Sequence, residues 1–408
     1  MKNDKFIENI KKLLPGILND AEFGALKPKA GQHKRVVFEK GGMAISILLP
    51  EENSSEKIRI TRSQLFTRIE KKFIETMVDQ LYGLLPLNND DLMEFIADKI
   101  STRVVAQTLC ADYSDSILVT RVLETLETWS SETYEGSGIS ASIVIDIESS
   151  KTSTVSFGEY VENDFAKVLS NGFDSVITLN RSGGVIEYGT PPSSNQSNWR
   201  CPYRYIDICK LTGSTKAIAF LLNRNGEILI FRENELIFAK RRAAWIIFNH
   251  EKVIKSMAFA NKYYLEEIRQ SVYASALDVS FARCGGCIGT LSLTKTKEAL
   301  KSKMINPADY IDDNKSVKSR VLSLVESIFM NMDRRIRLEI IGIDGATLLD
   351  STGKLIVAGA IIEYKSGSDG GGRSAAAKKL SEFGTSLKIS ADGKITAYHS
   401  GEKKFSFG

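Results

Sequence analysis

Apolar and polar positions along the first 138 residues recur mostly at helical spacing. The opening stretch MKNDKFIENIKKLLPGIL predicts a short amphipathic helix ending near Pro15. RVVFEKGGMAISILL (35–49) alternates instead and predicts a hairpin turning at Gly41-Gly42. RSQLFTRIEKKFIETMVDQLYGLL (62–85) and NDDLMEFIADKISTRVVAQTL (89–109) return to helical period, the second with Asn89 or Asp90 as its cap. ILVTRVLETLETWSSETYEG (117–136) predicts a further helix, stopped by Gly136 and Gly138.

After Gly138 strands and helices mix. ISASIVIDI (139–147) is β-branched and strand-like, and FGEYVENDFAKVLSNG (157–172) has helical period. SVITLN (175–180) and GVIEYG (184–189) predict two strands, PPSSNQSNW (191–199) a loop, and 217–248 three strands with a first turn at Asn225-Gly226. From His250 the pattern predicts a long helix over 250–277, a short apolar strand over 287–293 and a helix over 316–332. RIRLEIIGI (335–343) alternates and predicts a strand. Hairpins follow over 346–364 and 386–401, around a helix over 374–383. The expected architecture is mixed α/β in three parts: a mainly helical region 1–138, an α+β region 139–249, and a C-terminal domain 250–408 with a mixed sheet flanked by helices.

Composition adds limits. A chain of 408 residues exceeds one ordinary core. A formal net charge of +4 makes no strong case for nucleic acid or an anionic membrane. No apolar run reaches the roughly 18–20 residues that span a bilayer, and the N-terminus lacks a signal-peptide core, so a cytoplasmic protein is expected. Five cysteines, Cys110, Cys201, Cys209, Cys284 and Cys287, make no disulfide framework. Cys284-x-x-Cys287 lacks the second ligand pair of a zinc site and reads as small residues entering a buried strand.

Two features carry candidate chemistry. Asp344-Gly345-Ala346 lies between the segment ending at Ile343 and a hairpin. Gly370-Gly371-Gly372-Arg373-Ser374 is a glycine loop entering a helix. Glycines let backbone N–H groups approach an anion, and a helix start adds positive potential. Arg373 can grip phosphate oxygens, Ser374 can cap the helix, and Asp344 can hold a divalent cation. The loop matches neither the Walker pattern nor the dinucleotide fingerprint. Trp245 beside Lys240, Arg241 and Arg242 reads as a strand anchor, Asp309, Asp312 and Asp313 as a solvated loop, and Glu132 and Glu135 as surface.

Taken in order, Arg283-Cys284-Gly285-Gly286 before CIGTLSL, Asp344-Gly345-Ala346, Gly371 to Ala377, and Lys388-Ile389-Ser390 to Tyr398 resemble the motifs of the diadenylate cyclase (DisA-type, DAC) domain over roughly the last 150 residues. That family condenses two ATP molecules into cyclic di-AMP between two facing domains. The resemblance implies an ATP or cyclic-dinucleotide ligand, Mg²⁺ or Mn²⁺ on Asp344, and a homodimer through facing domains. It places Asp344 and Arg373 as catalytic residues, and Gly285, Gly286, Gly345, Ala346, Gly371, Gly372, Arg373, Ser374 and Ser390 around the nucleotide. The family's Gly-Thr-Arg-His-Arg loop reads Gly371-Gly372-Arg373-Ser374-Ala375 here, which implies a second possibility: a sensor that keeps the pocket without turnover, with the N-terminal region as signalling partner.

Overall fold

The structure is a computed structural model that describes residues 2–13, 21–26, 34–50, 56–62, 65–84, 90–169, 171–193, 198–213, 216–242, 244–257, 266–292, 294–301, 304–313, 316–363 and 371–407. Its backbone divides into two compact units: Met1–Ser193 with Asp207–Asn249, and Ser194–Ile206 with His250–Gly408.

The first unit holds helix α1 (Lys2–Leu13) and a four-stranded antiparallel sheet in the order β1 (Glu22–Leu26), β4 (Lys57–Thr61), β3 (Ala44–Leu48), β2 (Val36–Phe38). Three long helices follow: α2 (Arg68–Leu84), α3 (Asp90–Leu109) and α4 (Tyr113–Ser130). Helix α2 buries Phe73, Ile74, Met77, Val78 and Leu81, the i, i+4, i+8 stripe that its sequence predicts. Helix α4 ends at Ser130, short of the expected 136, because Thr133–Tyr134 (β5) and Ser137–Gly138 (β6) form a hairpin in which Glu135 and Gly136 take positive φ.

A seven-stranded sheet completes this unit. Its order is β13 (Ala244–Ile247), β12 (Glu235–Arg241), β11 (Ile228–Arg232), β10 (Ile218–Leu222), β7 (Ala141–Asp146), β8 (Val176–Asn180) and β9 (Val185–Gly189). Only β7 and β8 run parallel, and their crossover carries α5 (Phe157–Val161) and α6 (Ala166–Leu169). The single helix expected over 157–172 is thus two: Ser156 and Glu159 cap the first, and turns at Asn163–Phe165 restart the chain. Residues 217–248 give four strands, not three, because Glu233 and Asn234 make a second tight turn at positive φ. Trp245 is buried, donates to Thr102 at 3.4 Å and carries Lys240 over its ring, as a strand anchor should.

The second unit begins with the one-turn helix of Tyr203–Tyr205; helix α7 (Ile206–Lys210) follows it in the chain. From His250 come α8 (His250–Met257) and α9 (Glu266–Ala282), where one helix over 250–277 was expected; residues 258–265 lie outside the described residues. Then follow β14 (Gly286–Leu291), α10 (Thr296–Lys301), α11 (Val317–Leu322), α12 (Arg334–Gly342), β15 (Ala346–Leu349), β16 (Leu355–Ala360), α13 (Gly371–Ser381), β17 (Gly384–Ile389), β18 (Ile395–His399) and β19 (Glu402–Phe407). The expected helix over 316–332 is only α11, which gives way to loop and a single turn at Phe329–Asn331.

The strands order as β16-β15-β14-β17-β18-β19, with β14 and β15 parallel and all other neighbours antiparallel. Successive strand residues face opposite sides. A Cβ at Gly289 would meet Leu380 of α13, and one at Gly286 would meet Ile341 of α12 and Val279 of α9. Helices α13 and α10 therefore cover one face, with Cys287, Leu291, Leu348, Ala377 and Leu380 in one core, while α9 and α12 cover the other. This is the mixed sheet flanked by helices that the sequence implies.

One expectation fails outright: 335–343 is helix α12, not a strand. Its buried face is Arg334, Arg337, Ile340 and Ile341, an i, i+3, i+6, i+7 stripe, while Ile336 is 40% exposed. Two arginines occupy inward positions, so hydropathy alternation misreads the period.

Candidate functional site

Parallel pairing of β14 and β15 puts their starting turns at the same end of the sheet. Ile288 lies opposite Thr347, so Gly286 is level with Gly345. Antiparallel β17 brings Ile389 opposite Gly286, and β16 brings Ala360 opposite Ala346. Four adjacent strand ends thereby align Ser390, Gly285, Asp344-Gly345 and Ile361 along one edge of the sheet, about 5 Å per strand. The candidate residues, scattered over more than a hundred positions in sequence, meet there.

The turn from α9 into β14 needs left-handed backbone at Arg283 (φ 60°) and Gly285 (φ 67°). Gly285 is also a contact point. A Cβ there would lie 2.6 Å from Nη1 of Arg373, so the missing side chain is what lets the guanidinium rest against this turn. Arg373 projects from the first turn of α13, is half-buried, and has no hydrogen-bond or ion-pair partner among the described residues. Its positive charge reaches both neighbouring thiols: it draws the Cys284 and Cys287 pKa values down against the larger effect of burial, which leaves Cys284 raised and Cys287 at about 12. Cys287 is fully buried in β14, and Cys284 is exposed just before it.

Lys388 is a second cation at this end. It sits on β17 opposite Cys287, on the α13 face, and its Nζ donates to Oγ of Ser374 at 2.7 Å. The resemblance includes Lys388 at the start of its last motif but implies no role for it. Its register beside a buried cysteine is what marks it.

Ser374 is not the helix cap. Helix α13 begins at Gly371, so Ser374 lies inside it and is buried, as is Ala375. Gly371 (φ 78°) and Gly372 are exposed at the helix start; Gly370 lies outside the described residues. Ala346 is buried with its methyl in the core, leaving only its backbone to face a ligand. Ser390 is committed locally: its hydroxyl turns to the Asp392 carboxylate and to the Lys394 carbonyl at 3.1 Å, closing the β17–β18 hairpin.

Asp344 follows the C-terminus of α12 and is exposed, with no hydrogen-bond or ion-pair partner among the described residues. Gly345 (φ 111°) and Gly359 (φ 63°) let this turn cross β16: a Cβ at 345 would come within 2.6 Å of the Gly359 carbonyl carbon. Lys318 braces the crossing from α11, donating to the Gly359 carbonyl at 3.1 Å and to Asp309 at 2.6 Å. Asp309 and Asp312 are each ion-paired, with Lys318 and Lys354, and Glu132 pairs with Lys167 rather than standing alone. Among the described residues no group of three His, Cys, Asp or Glu side chains could hold a metal by itself. A single carboxylate at the negative end of a helix suits a hydrated Mg²⁺ or Mn²⁺ shared with a ligand's phosphates. No helix among the described residues is long and apolar enough to cross a membrane.

No protein-family model matches the chain, and no curated protein matches it. Among solved structures, DacA from Staphylococcus aureus, crystallised as a double cysteine mutant, is similar at 17% identity and a TM-score of 0.22, covering 34% of this chain and 87% of that one. The functional reading therefore stands on this chain's own residues.

Proposed function

We propose that the C-terminal unit binds an adenine nucleotide or cyclic dinucleotide at this end of the sheet, as a nucleotide-binding protein of the diadenylate cyclase type. The observation that carries the reading is Arg373 lying against the left-handed Gly285 turn, level with the unpartnered Asp344 turn. Arg373 and Lys388 supply positive charge for phosphates, and the exposed Gly371-Gly372 backbone opens the helix start to them. Asp344 would hold Mg²⁺ or Mn²⁺, which when bound neutralises phosphate charge and acidifies an attacking hydroxyl. Gly285 keeps the turn before β14 free of a side chain beside Arg373, whereas bare Gly286 admits Ile341 and Val279 on the opposite face.

Ser374 and Ala375 bear on turnover. Both are buried, so the loop offers one guanidinium, and phosphoryl-transfer catalysis rests on positioning plus charge stabilisation. That favours a sensor that holds the ligand. The exposed Asp344 favours the alternative, cyclisation of two ATP molecules between facing copies.

Incubation with ATP and Mn²⁺, read by chromatography and mass for cyclic di-AMP, separates the two. Product that disappears in Asp344→Asn establishes the cyclase. No product, with a thermal shift on adding ATP or cyclic di-AMP, establishes the sensor. Neither product nor shift at millimolar nucleotide would remove both.

A further inference from the structure

A second site lies at the other ends of the two helices that carry the Gly285 and Asp344 turns. Beside the N-terminal halves of α9 and α12 opens a cavity of about 300 Å³, at the small end of ligand pockets. Trp199, Ala274 and Met330 give it an apolar wall, and Gln270, Ser271 and Asn331 a neutral polar one. Three charged side chains line it: Glu267, Arg334 and Arg337. Arg334 and Arg337 both line it, although they are only 6% and 7% exposed.

The two guanidiniums are answered unequally. Arg334 makes a two-point ion pair with buried Asp278, at 2.8 and 2.7 Å, and donates to the carbonyls of Asn198 and Cys201. Arg337 donates from Nε to the Met332 carbonyl at 2.8 Å and from Nη2 to the Met330 carbonyl at 3.1 Å. Its Nη1 bonds to no described residue, and no carboxylate is hydrogen-bonded to it. A guanidinium has five N–H donors, so Arg337 keeps donors unused at the cavity. Burial, with the like charge of Arg334 beside it, draws Arg337 down to about 10. Two buried guanidiniums thus share one buried carboxylate; the exposed Asp333 acts on Arg337 only through space and is itself paired with Arg335. Asp278 is not on the lining, and the acidic side chain that is, Glu267, is solvent-exposed.

A buried cation with no carboxylate hydrogen-bonded to it is unfavourable, and a planar fork of free N–H groups matches an oxyanion. We infer that this cavity binds a small organic anion. Its carboxylate or phosphate lies on the free donors of Arg337, and its apolar body lies against Trp199, Ala274 and Met330. Nothing in the nucleotide reading requires this site, and it stands if that reading fails.

The test is calorimetric titration of the full chain with benzoate and, separately, phenyl phosphate at constant ionic strength. At least one saturates the wild type, and the stronger of the two identifies the head group. Gln270→Glu sets a carboxylate on the cavity wall without disturbing either arginine, and weakens binding about tenfold or more. Arg337→Gln does the same where it folds, and Arg320→Gln, exposed on α11 and off the lining, leaves binding unchanged. Saturation by neither anion, or equal affinity in Gln270→Glu and wild type, overturns the inference.

Discussion

Gly285 shows how one absent side chain can serve two needs. Its φ of 67° suits the turn out of α9, and its bare Cα makes room for the Arg373 guanidinium. Alanine there costs about 1 kcal/mol for the left-handed backbone alone and also displaces Arg373. Gly285→Ala should therefore leave a folded protein by circular dichroism while ATP affinity falls. Unchanged affinity would detach Arg373 from the site. Cys287 gives a pH-dependent counterpart. Burial lifts its thiol from 9.0 to about 12, against Arg373 and Lys388. Between those values the folded chain keeps a proton that the unfolded chain releases, so this group's stabilisation is complete below pH 9 and is lost as pH rises toward 12. Comparing urea midpoints of wild type and Cys287→Ala across that range should show the wild type falling more steeply.

At the scale of elements, α12 separates what the sequence reveals from what it hides. Hairpins with glycine turns and long helices with apolar stripes, such as α2, β2–β3 and β15–β16, are legible because local period and burial agree. Helix α12 is not, because its inward positions include Arg334 and Arg337, stabilised by Asp278 and by backbone carbonyls that only the fold brings near. The helix reading makes a sharp prediction. Ile336→Glu is tolerated, within about 0.5 kcal/mol, as expected for an exposed position. Ile340→Glu, at 3% exposure, costs several-fold more by thermal denaturation. Similar costs would contradict the exposure of Ile336 at the rim of the buried stripe. Asp344, Arg373 and Gly285 can be named from the sequence, and the fold sets all three at one sheet end. The parts that depend on register were not legible there: Lys388 over Ser374, and the burial of Ser374 inside α13.

At the scale of the molecule, the second unit borrows a segment from far upstream in the chain. Residues 198–206 supply carbonyls from Asn198 and Cys201 to Arg334, the Tyr203 N–H to Asp278 at 2.6 Å, and Trp199 edge-on to Tyr273. A fragment of 250–408 leaves those buried donors and acceptors unmatched, at about 1–3 kcal/mol each. It should melt roughly 10 °C below a fragment of 194–408. Equal melting temperatures would show that the upstream segment adds nothing. The central claim is that Arg373 and the Asp344 turn form a nucleotide site, and calorimetric titration with a non-hydrolysable ATP analogue and Mn²⁺ tests it most directly. The account predicts saturable binding to the wild type, weakened about tenfold or more in Arg373→Ala. Absence of binding to the wild type, or the same affinity in both proteins, would contradict it.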